Sequence, residues 1–399
     1  MKELVRFELL KIYRRRIIIV GILTFIILDI LQIGLNFYSD HSESAMLNGY
    51  RAIYNEAKGP FTEEKINFVV EGLKKNQLLV EAGQYDPDKI DPDTYTGHIY
   101  GDMGIFTELY AKMDYAYNYR NNITKVLDTA RQNIAFYDQC GNEAAKIRNS
   151  DILQRYDNRN ISAFYDTVSF TKYFDYHFST LLILILISLG VSGTFSSEQE
   201  NGMDMLLKST KFGNGHTFAA KMVAAMFFTV FISFLFLLTD LLSFEIFYGF
   251  DGWFEPLYSI DAYRFTPCRM KIITFFTLES LGKLISYEFF TLLLILFVRF
   301  IRRSMTSFLI SITLSAAFLA AMTTNVADNL LVFLLFAPAK LLNGSELVKS
   351  YAVFLIGGHP VLEFAIALIS AAIMPVLLPP LTFLFTKIGS GHFKTNYDH

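Results

Sequence analysis

The sequence predicts an all-α integral membrane protein with six transmembrane helices, both termini in the cytoplasm, and a large helical extracytoplasmic domain between spans one and two. Three observations lead to this fold class. Of the 399 residues, 52% are hydrophobic and only 18% are charged, whereas soluble proteins carry about 25% charged residues. Six apolar segments are long enough to cross a bilayer, which takes about 20 residues. Lysine and arginine residues recur on one side of those segments.

The six predicted spans follow the apolar runs along the chain. They cover residues 17–37, 176–195, 219–248, 272–298, 304–323 and 361–386. The first run follows a basic stretch, as in a signal peptide, but its length of about 21 residues exceeds that of a signal-peptide core. We therefore expect a retained transmembrane helix there. The shorter apolar stretch 329–342 contains Pro338 and predicts a re-entrant segment at the outer membrane surface.

The distribution of basic residues gives the orientation, because cytoplasmic loops are enriched in lysine and arginine. With six helices counted, one side carries Lys2, Arg6, Lys11, Arg14, Arg15, Arg16, Lys208, Lys211, Lys221, Arg299, Arg302, Arg303, Lys387 and Lys394. Both termini are therefore predicted to be cytoplasmic. Within residues 1–16, apolar and charged side chains alternate at helical spacing, which predicts an interfacial helix that runs into span one. A basic flank without such a helix is the alternative.

Residues 38–175 form the predicted extracytoplasmic domain, and residues 176–399 return to the membrane. Steps of three and four residues predict a helical seam made of Leu109, Met113, Ala116, Ile123, Leu127, Ala130, Ile134 and Tyr137, with Arg120 in its polar position. The Gly-Pro pair at 59–60 ends an earlier helix, and the glutamate pair at 63–64 begins the next, since acids favour a helix N-terminus. We expect a helical hairpin or small bundle. Its tyrosines are predicted to pack that bundle, with a peptide-binding face as the alternative.

Several classes of chemistry lack their motifs in this sequence. The glycine-containing segment 213–217 has neither the spacing nor the lysine of a nucleotide-binding loop. Neither paired metal ligands nor a nucleophile motif occurs, so no catalytic residue and no metal site are predicted. The net charge of −3 gives no reason to expect a nucleic-acid partner. Cys140 and Cys268 have no metal-binding spacing; we expect free thiols, with a single disulfide as the alternative.

Ionisable residues inside the predicted spans are candidate functional residues, because charge in hydrocarbon is costly. Glu279 and Lys283 lie four apart on one helix and predict a structural ion pair. Three further acids fall in the outer halves of their helices, where they reach outer water or cap packed helices; the alternative is an acidic vestibule for a cationic amphipathic substrate. The candidate substrate path consists of Asp29, Asp240, Glu288 and Glu363.

The segment between spans two and three carries the most specific signal. Residues 198–210 begin with acids and continue with the apolar Met203, Leu206 and Leu207, and the basic residues Lys208 and Lys211 end the pattern. A short helix of this composition at the membrane surface has no element of its own chain to cover its apolar side. The pattern therefore predicts a partner protein. An amphipathic linker that lies on lipid is the alternative.

This segment resembles the permease subunits of type-2 ABC exporters. Those proteins carry an E-x-G-[TS]-like turn, then leucines and a serine, and then a lysine that opens span three. This chain has, in that order, Glu200, Gly202, Met205, Leu206, Leu207, Ser209 and Lys221. It departs from the family at Asp204 and Met205, where a Thr-Leu-Glu run is more usual. The interfacial helix, the six spans and the re-entrant segment extend the resemblance, whereas the domain at 38–175 is larger than most members carry.

The resemblance implies the transmembrane subunit of an ATP-driven exporter in a bacterial cell membrane. Two permeases, identical or related, would face each other above two ATP-binding subunits, and ATP and magnesium would bind to those subunits and not to this chain. The coupling helix would contact the ATPase through Glu198, Glu200, Gly202, Met203, Met205, Leu206 and Leu207. Peptides or lipid-like compounds are the expected substrates. The alternative is an ABC-linked sensor or mechanotransmission protein that acts through its extracytoplasmic domain.

Overall fold

The structure is a computed structural model that describes residues 1–40, 44–83, 90–203, 215–299, 301, 303–324 and 329–391. Most of this part of the chain is helical. Its helices are α1 (Lys2–Tyr13), α2 (Arg16–Asp40), α3 (Ser44–Ala57), α4 (Glu63–Glu81), α5 (Ile99–Gln139), α6 (Glu143–Tyr156), α7 (Val168–Phe174), α8 (Phe178–Glu200), α9 (Gly215–Phe247), α10 (Ile272–Val298), α11 (Ser304–Thr323), α12 (Leu330–Lys340), α13 (Glu346–Lys349) and α14 (Glu363–Gly391).

Two short antiparallel strand pairs accompany the helices. Strand β1 (Gly59–Pro60) pairs with β2 (Ala163–Phe164), and β3 (Val353–Ile356) pairs with β4 (His359–Leu362). The first pair ties the start of the outer domain to its end, and the second forms a hairpin just before α14. Apart from these strands, the prediction of a helical architecture is confirmed.

Five helical segments in the described part of the chain are long and apolar enough to cross a membrane. They are α2, the stretch Val168–Ser196 that contains α8, and helices α9, α10 and α11. These segments correspond to the first five predicted spans, so the chain is an α-helical membrane protein. The sixth predicted span, 361–386, falls on α14, which runs from Glu363 to Gly391 and contains the apolar stretch Glu363–Val376. The sixth crossing and the orientation stay predictions, and we name the two ends of the bundle after that orientation.

Helix α1 lies across the cytoplasmic ends of α8 and α9. It buries Ile12 against the bundle and leaves Phe7 and Leu10 exposed. A turn at residues 14–15 separates it from α2. A helix is therefore present in this segment, while its position in the membrane interface stays a prediction.

Helix α8 lies at the centre of the membrane bundle, with 72% of its apolar window buried. Small residues let its neighbours approach closely, as is common in membranes. At Gly190, a Cβ atom would come within 2.5 Å of the Phe228 ring on α9. Ser188 hydrogen-bonds with Ser315 of α11 at 2.9 Å. Helix α2, in contrast, lies at the edge of the bundle, with only 17% of its window buried.

The outer domain is a bundle in which α3, α4 and α6 pack against the long helix α5. Six of the eight predicted seam residues are buried, while Ile134 and Tyr137 are half-buried. Arg120 is exposed, and Tyr119 takes the seam position instead. Steps of three and of four residues both fit a helix with 3.6 residues per turn, so the pattern alone could not decide between these neighbours.

The predicted break between the first two outer helices is confirmed. Helix α3 ends at Ala57, and Gly59 adopts a φ of +104°, which residues with a Cβ atom rarely adopt. The Thr62 hydroxyl then accepts a hydrogen bond from the Lys65 backbone N–H at 3.3 Å and caps α4.

The outer bundle is fastened to the loop 248–271, which joins α9 to α10. Arg159, only 1% exposed, donates to the Thr266 carbonyl at 2.7 Å and lies 4.9 Å from the centre of the Tyr258 ring. Tyr119 stacks on Tyr258 with ring centres 4.9 Å apart and donates to the Arg264 carbonyl. The prediction that tyrosines pack this region therefore holds for the buried ones. They join the bundle to a loop between two spans.

The predicted re-entrant stretch 329–342 forms α12 and a following 3-10 turn. Asn329 caps the helix through its side-chain oxygen, which accepts from the Leu331 and Val332 backbone N–H groups. With 11 residues, α12 is about 16 Å long and too short to cross a bilayer. It packs against α11 and α14.

The two cysteines provide a test of orientation. Both are free, Cys140 exposed at the end of α5 and Cys268 buried in the loop 248–271, where burial raises the pKa of its thiol. We expect a membrane-impermeant maleimide to label intact cells at Cys140 alone, since a buried thiol with a raised pKa reacts slowly. Mass spectrometry of the labelled chain measures this.

The matched control is Cys140→Ser, which should abolish labelling of intact cells, with Cys268 reacting only after denaturation. Labelling of Cys140 that requires permeabilised cells would place the bundle in the cytoplasm and reverse the orientation.

Candidate functional site

Four spans bring polar side chains together in the outer half of the bundle. Asp29 of α2 is fully buried, and Asp240 of α9 is 4% exposed. Tyr176, at the break before α8, donates from its hydroxyl to Asp29 Oδ1 at 2.7 Å. Ser179, in the first turn of α8, donates to Asp240 Oδ2 at 2.7 Å. Each carboxyl group is therefore anchored to α8 through one oxygen.

The two aspartates lie near each other in the interior of the bundle. Asp29 and Asp240 lie within hydrogen-bonding reach of each other. Asp29 Oδ2 and Asp240 Oδ1 are buried and receive no hydrogen bond from the described residues. Two carboxylates in contact repel each other, and one proton held between them relieves the repulsion. The two buried carboxyl groups therefore bring α2 and α9 close together within the bundle.

A buried ion pair on α10 lies beside this pair. Lys283 Nζ is 3.2 Å from Glu279 Oε1, and both side chains are almost fully buried. The predicted structural ion pair between these residues is confirmed. The nearby Tyr287 hydroxyl donates to Thr180 of α8 at 3.1 Å and fixes α10 to α8. Since Lys283 is committed to Glu279, its charge does not neutralise the aspartate pair in full.

The structure brings only part of the predicted substrate path together. Glu288 lies on α10 about 13 Å beyond Glu279, and neither of its buried carboxylate oxygens has a hydrogen-bond partner among the described residues. Glu363 begins α14, where its charge interacts with Lys340. Both aspartates are buried, and each carboxyl group accepts a hydrogen bond from Tyr176 or Ser179. An open acidic vestibule is therefore not what the structure shows.

A second cluster lies at the cytoplasmic end of the bundle. Glu198, near the end of α8, accepts hydrogen bonds from Lys11 of α1 and Lys221 of α9. Burial opposes ionisation of Glu198, but these two hydrogen bonds hold its pKa below the ordinary value. Burial raises the pKa of Glu8, which lies 3.8 Å from Lys11. The cluster therefore fastens three helices around one carboxylate.

A close approach of backbone and side chain strengthens this junction. Arg15 Nη2 donates to the Gly193 carbonyl of α8 at 2.5 Å. A Cβ atom at position 193 would lie 1.8 Å from Arg15 Nη1. Only glycine leaves room for the guanidinium group there. The turn between α1 and α2 therefore packs directly against the backbone of α8.

The predicted coupling residues differ in their surroundings. Glu198 is buried in the cytoplasmic cluster. Glu200 is exposed and accepts from the backbone N–H and hydroxyl of Ser304. Gly202 has a φ of +69°, and Met203 is exposed. Three of the predicted coupling residues lie outside the described part of the chain: Met205, Leu206 and Leu207.

Sequence reasoning missed the hydroxyl and lysine partners of these sites. Tyr176 is separated from Asp29 by 147 residues, and Lys11 from Glu198 by 187. No local pattern reports such contacts. The signal that could have found them is the need of a buried acid for hydrogen-bond donors. Around the start of α8, the available donors are a tyrosine and a serine.

No protein-family model, no curated protein and no solved structure matches the chain. The described residues include no group of three or more histidine, cysteine, aspartate or glutamate side chains placed to hold a metal ion. The fold and the two clusters define an α-helical membrane protein whose buried charges join helices distant in sequence.

Loss of the Tyr176 hydroxyl should weaken the bundle measurably. In Tyr176→Phe, Asp29 Oδ1 loses its side-chain donor, and a buried polar group without a partner costs about 1–3 kcal/mol. We expect a lower midpoint in thermal unfolding of the detergent-solubilised chain. The control is Tyr38→Phe on the same face of the membrane, where the ring is 70% exposed. Equal midpoints for the two variants would show that the hydroxyl does not hold Asp29.

Proposed function

We propose that this chain is the transmembrane subunit of an ATP-driven ABC exporter that moves amphipathic substrates across a bacterial cell membrane. The observation that carries the proposal is the arrangement of the cytoplasmic ends of α8 and α9. The permease-like residues begin at Glu200, where α8 ends, and the connection returns to the membrane at Gly215, where α9 begins. Both helix ends are fastened to α1 through Glu198.

This arrangement would allow α8 and α9 to receive a force that acts from the cytoplasmic side. Removing one partner of a buried charge pair costs about 3–5 kcal/mol. The contacts of Glu198 with Lys11 and Lys221 therefore hold α1, α8 and α9 together when a force acts on them. A push on the segment 201–214 is then transmitted to both spans at once. At the other end of α9, Asp240 is joined to Asp29, so movement of α9 against α2 acts on the aspartate pair. Alternating access needs such a two-state contact.

The proposal requires two kinds of protein partner. An ATP-binding subunit would bind ATP and magnesium and contact the segment that begins with the exposed Glu200 and Met203. A second permease, identical or related, would complete the path. Helices α2 and α11 have only 17% and 28% of their apolar windows buried, which leaves apolar surface for lipid and for that second permease.

Copurification with the proteins encoded beside it tests the proposal. We expect an ATP-binding subunit in near-equal amount when the tagged chain is extracted in mild detergent. Replacing Met205, Leu206 and Leu207 together with serine should release that subunit, because the apolar contact is removed. Quantitative mass spectrometry of the eluate measures the ratio.

The matched control replaces three exposed apolar residues of the outer domain with serine: Leu78, Ile90 and Phe136. This variant should retain the ATP-binding subunit. The proposal fails if no such subunit copurifies with the unmodified chain, or if the segment 205–207 is dispensable for its retention.

A specific observation favours a second candidate, an ABC-linked sensor or mechanotransmission protein. The loop 248–271 continues directly from α9, and it is fastened to the outer bundle by the buried Arg159 and by the stacked rings of Tyr119 and Tyr258. Movement of α9 therefore reaches the outer domain. A protein that only exported its substrate would not need this connection.

The variant Arg159→Met tests this second candidate. It keeps the length of the side chain but removes the donor to the Thr266 carbonyl, so the outer bundle should loosen from the loop. We expect faster amide exchange in residues 258–266 while the ATPase rate of the intact complex stays unchanged. The control is Arg120→Met, an exposed residue of the same domain.

If the chain is a mechanotransmission protein, Arg159→Met should abolish the cellular response. Neither the unmodified chain nor this variant should then move substrate in vesicles. Substrate movement in vesicles that survives this variant supports the exporter instead.

A further inference from the structure

A cavity of about 720 Å³ lies between the outer domain and the outer ends of α2 and α9. Its size falls within the range of about 300–1,000 Å³ that is usual for small-molecule sites. Residues from α3 and α5 form one wall, and Phe37, Phe247 and Phe250 contribute to the opposite one. The cavity therefore has a polar side in the outer domain and an apolar side at the membrane surface.

Most charges in the polar wall are neutralised within the wall. Lys112 lies 3.1 Å from Asp166, which also accepts from the Tyr50 hydroxyl. Burial raises the pKa of Tyr50, so the phenol stays a neutral donor. Lys58 pairs with Asp251 at 3.1 Å. These contacts hold the side chains of the wall in place and leave little net charge in it for a ligand to bind.

Two charges in the cavity are left without a side-chain partner among the described residues: Arg51 of α3 and Glu245 of α9. Both side chains are exposed. They come from different elements, one from the outer domain and one from the end of a span. A ligand that satisfies both must carry an anionic and a cationic group.

The apolar side of the cavity continues along the membrane-facing surfaces of two spans. Ile246 lines the cavity and is 76% exposed. One turn earlier on α9, Leu242 is also exposed, and Leu35 and Tyr38 are exposed on α2. An apolar chain can therefore leave the cavity along these side chains into hydrocarbon without crossing a polar surface.

We propose that this cavity binds a zwitterionic, amine-bearing phospholipid of the outer leaflet. Its phosphate would contact Arg51, its ammonium group would contact Glu245, and its acyl chains would lie against Leu242 and Ile246. Arginine suits phosphate because its planar guanidinium group donates two parallel hydrogen bonds. The inference names a lipid as the amphipathic substrate of the proposed exporter and rests on that proposal for its role, but binding itself needs no ATPase.

The only tryptophan of the chain provides the measurement. Trp253 lies 5.0 Å from the Phe250 ring, which lines the cavity. The delipidated full chain in detergent is titrated with phospholipids that carry brominated acyl chains, and quenching of tryptophan fluorescence reports binding. Four probes are compared: phosphatidylethanolamine, its N-trimethylated counterpart, phosphatidylglycerol, and soluble glycerophosphoethanolamine in competition.

We expect phosphatidylethanolamine to bind about tenfold more tightly than phosphatidylglycerol, because only the former has a partner for Glu245. Trimethylation should weaken binding by removing the N–H donors. Arg51→Gln and Glu245→Gln should each reduce affinity for phosphatidylethanolamine about tenfold. Two matched controls make the same chemical changes at exposed sites of the outer domain, Arg120→Gln and Glu71→Gln, and should bind like the unmodified chain.

Equal binding of all three lipids, or unchanged binding in both cavity variants, would overturn the site. Soluble glycerophosphoethanolamine that competes as well as the whole lipid would overturn the membrane as the source of the ligand. A cationic amphipathic peptide that displaces the lipid with the same dependence on Glu245, but not on Arg51, would replace the lipid as occupant. Because no ATPase is present, these outcomes are separate from the copurification result.

Discussion

Charge buried among apolar helices is the constraint on which the rest of this structure depends. In a membrane bundle such a group can find a partner only within the protein, because lipid supplies none. Asp29 is matched by Tyr176 and Asp240, Glu279 by Lys283, and Glu198 by two lysines. Most of these contacts join segments distant in sequence. The requirement to satisfy each charge thus fixes how the helices are placed against one another.

Helix α9 is common to the three regions that this constraint creates. Lys221 near its start belongs to the cytoplasmic cluster, and Asp240 near its end belongs to the aspartate pair. The loop that follows it is held by Arg159 of the outer domain. A change at either end of α9 must be accommodated at the other, since a continuous helix transmits displacement along its axis. The proposed lipid cavity lies where α9 meets the outer domain, within reach of that displacement.

The sequence was sufficient for features that depend on neighbouring residues. Apolar length predicted six spans, five of which are helices long and apolar enough to cross a membrane, and the four-residue spacing of Glu279 and Lys283 predicted their ion pair. Features that depend on packing were missed or misplaced. Asp29 and Asp240 were recognised as candidate residues, but their partners Tyr176 and Ser179 were not, because no local pattern connects residues so distant in sequence. The seam in α5 was placed correctly except at Arg120, where an adjacent tyrosine satisfies the same helical period.

The length of α5 has a mechanical consequence. Its 41 residues extend for about 60 Å, and the loop from α9 grips it near Tyr119, close to its midpoint. This contact with the loop therefore acts as a pivot near the middle of α5, and the two ends of the helix move in opposite directions about it. A tilt of about 10° at the pivot carries the far tip, near Cys140, through about 5 Å, given a rise of 1.5 Å per residue. The N-terminal half of α5, which carries Lys112 and part of the cavity wall, moves in the opposite direction.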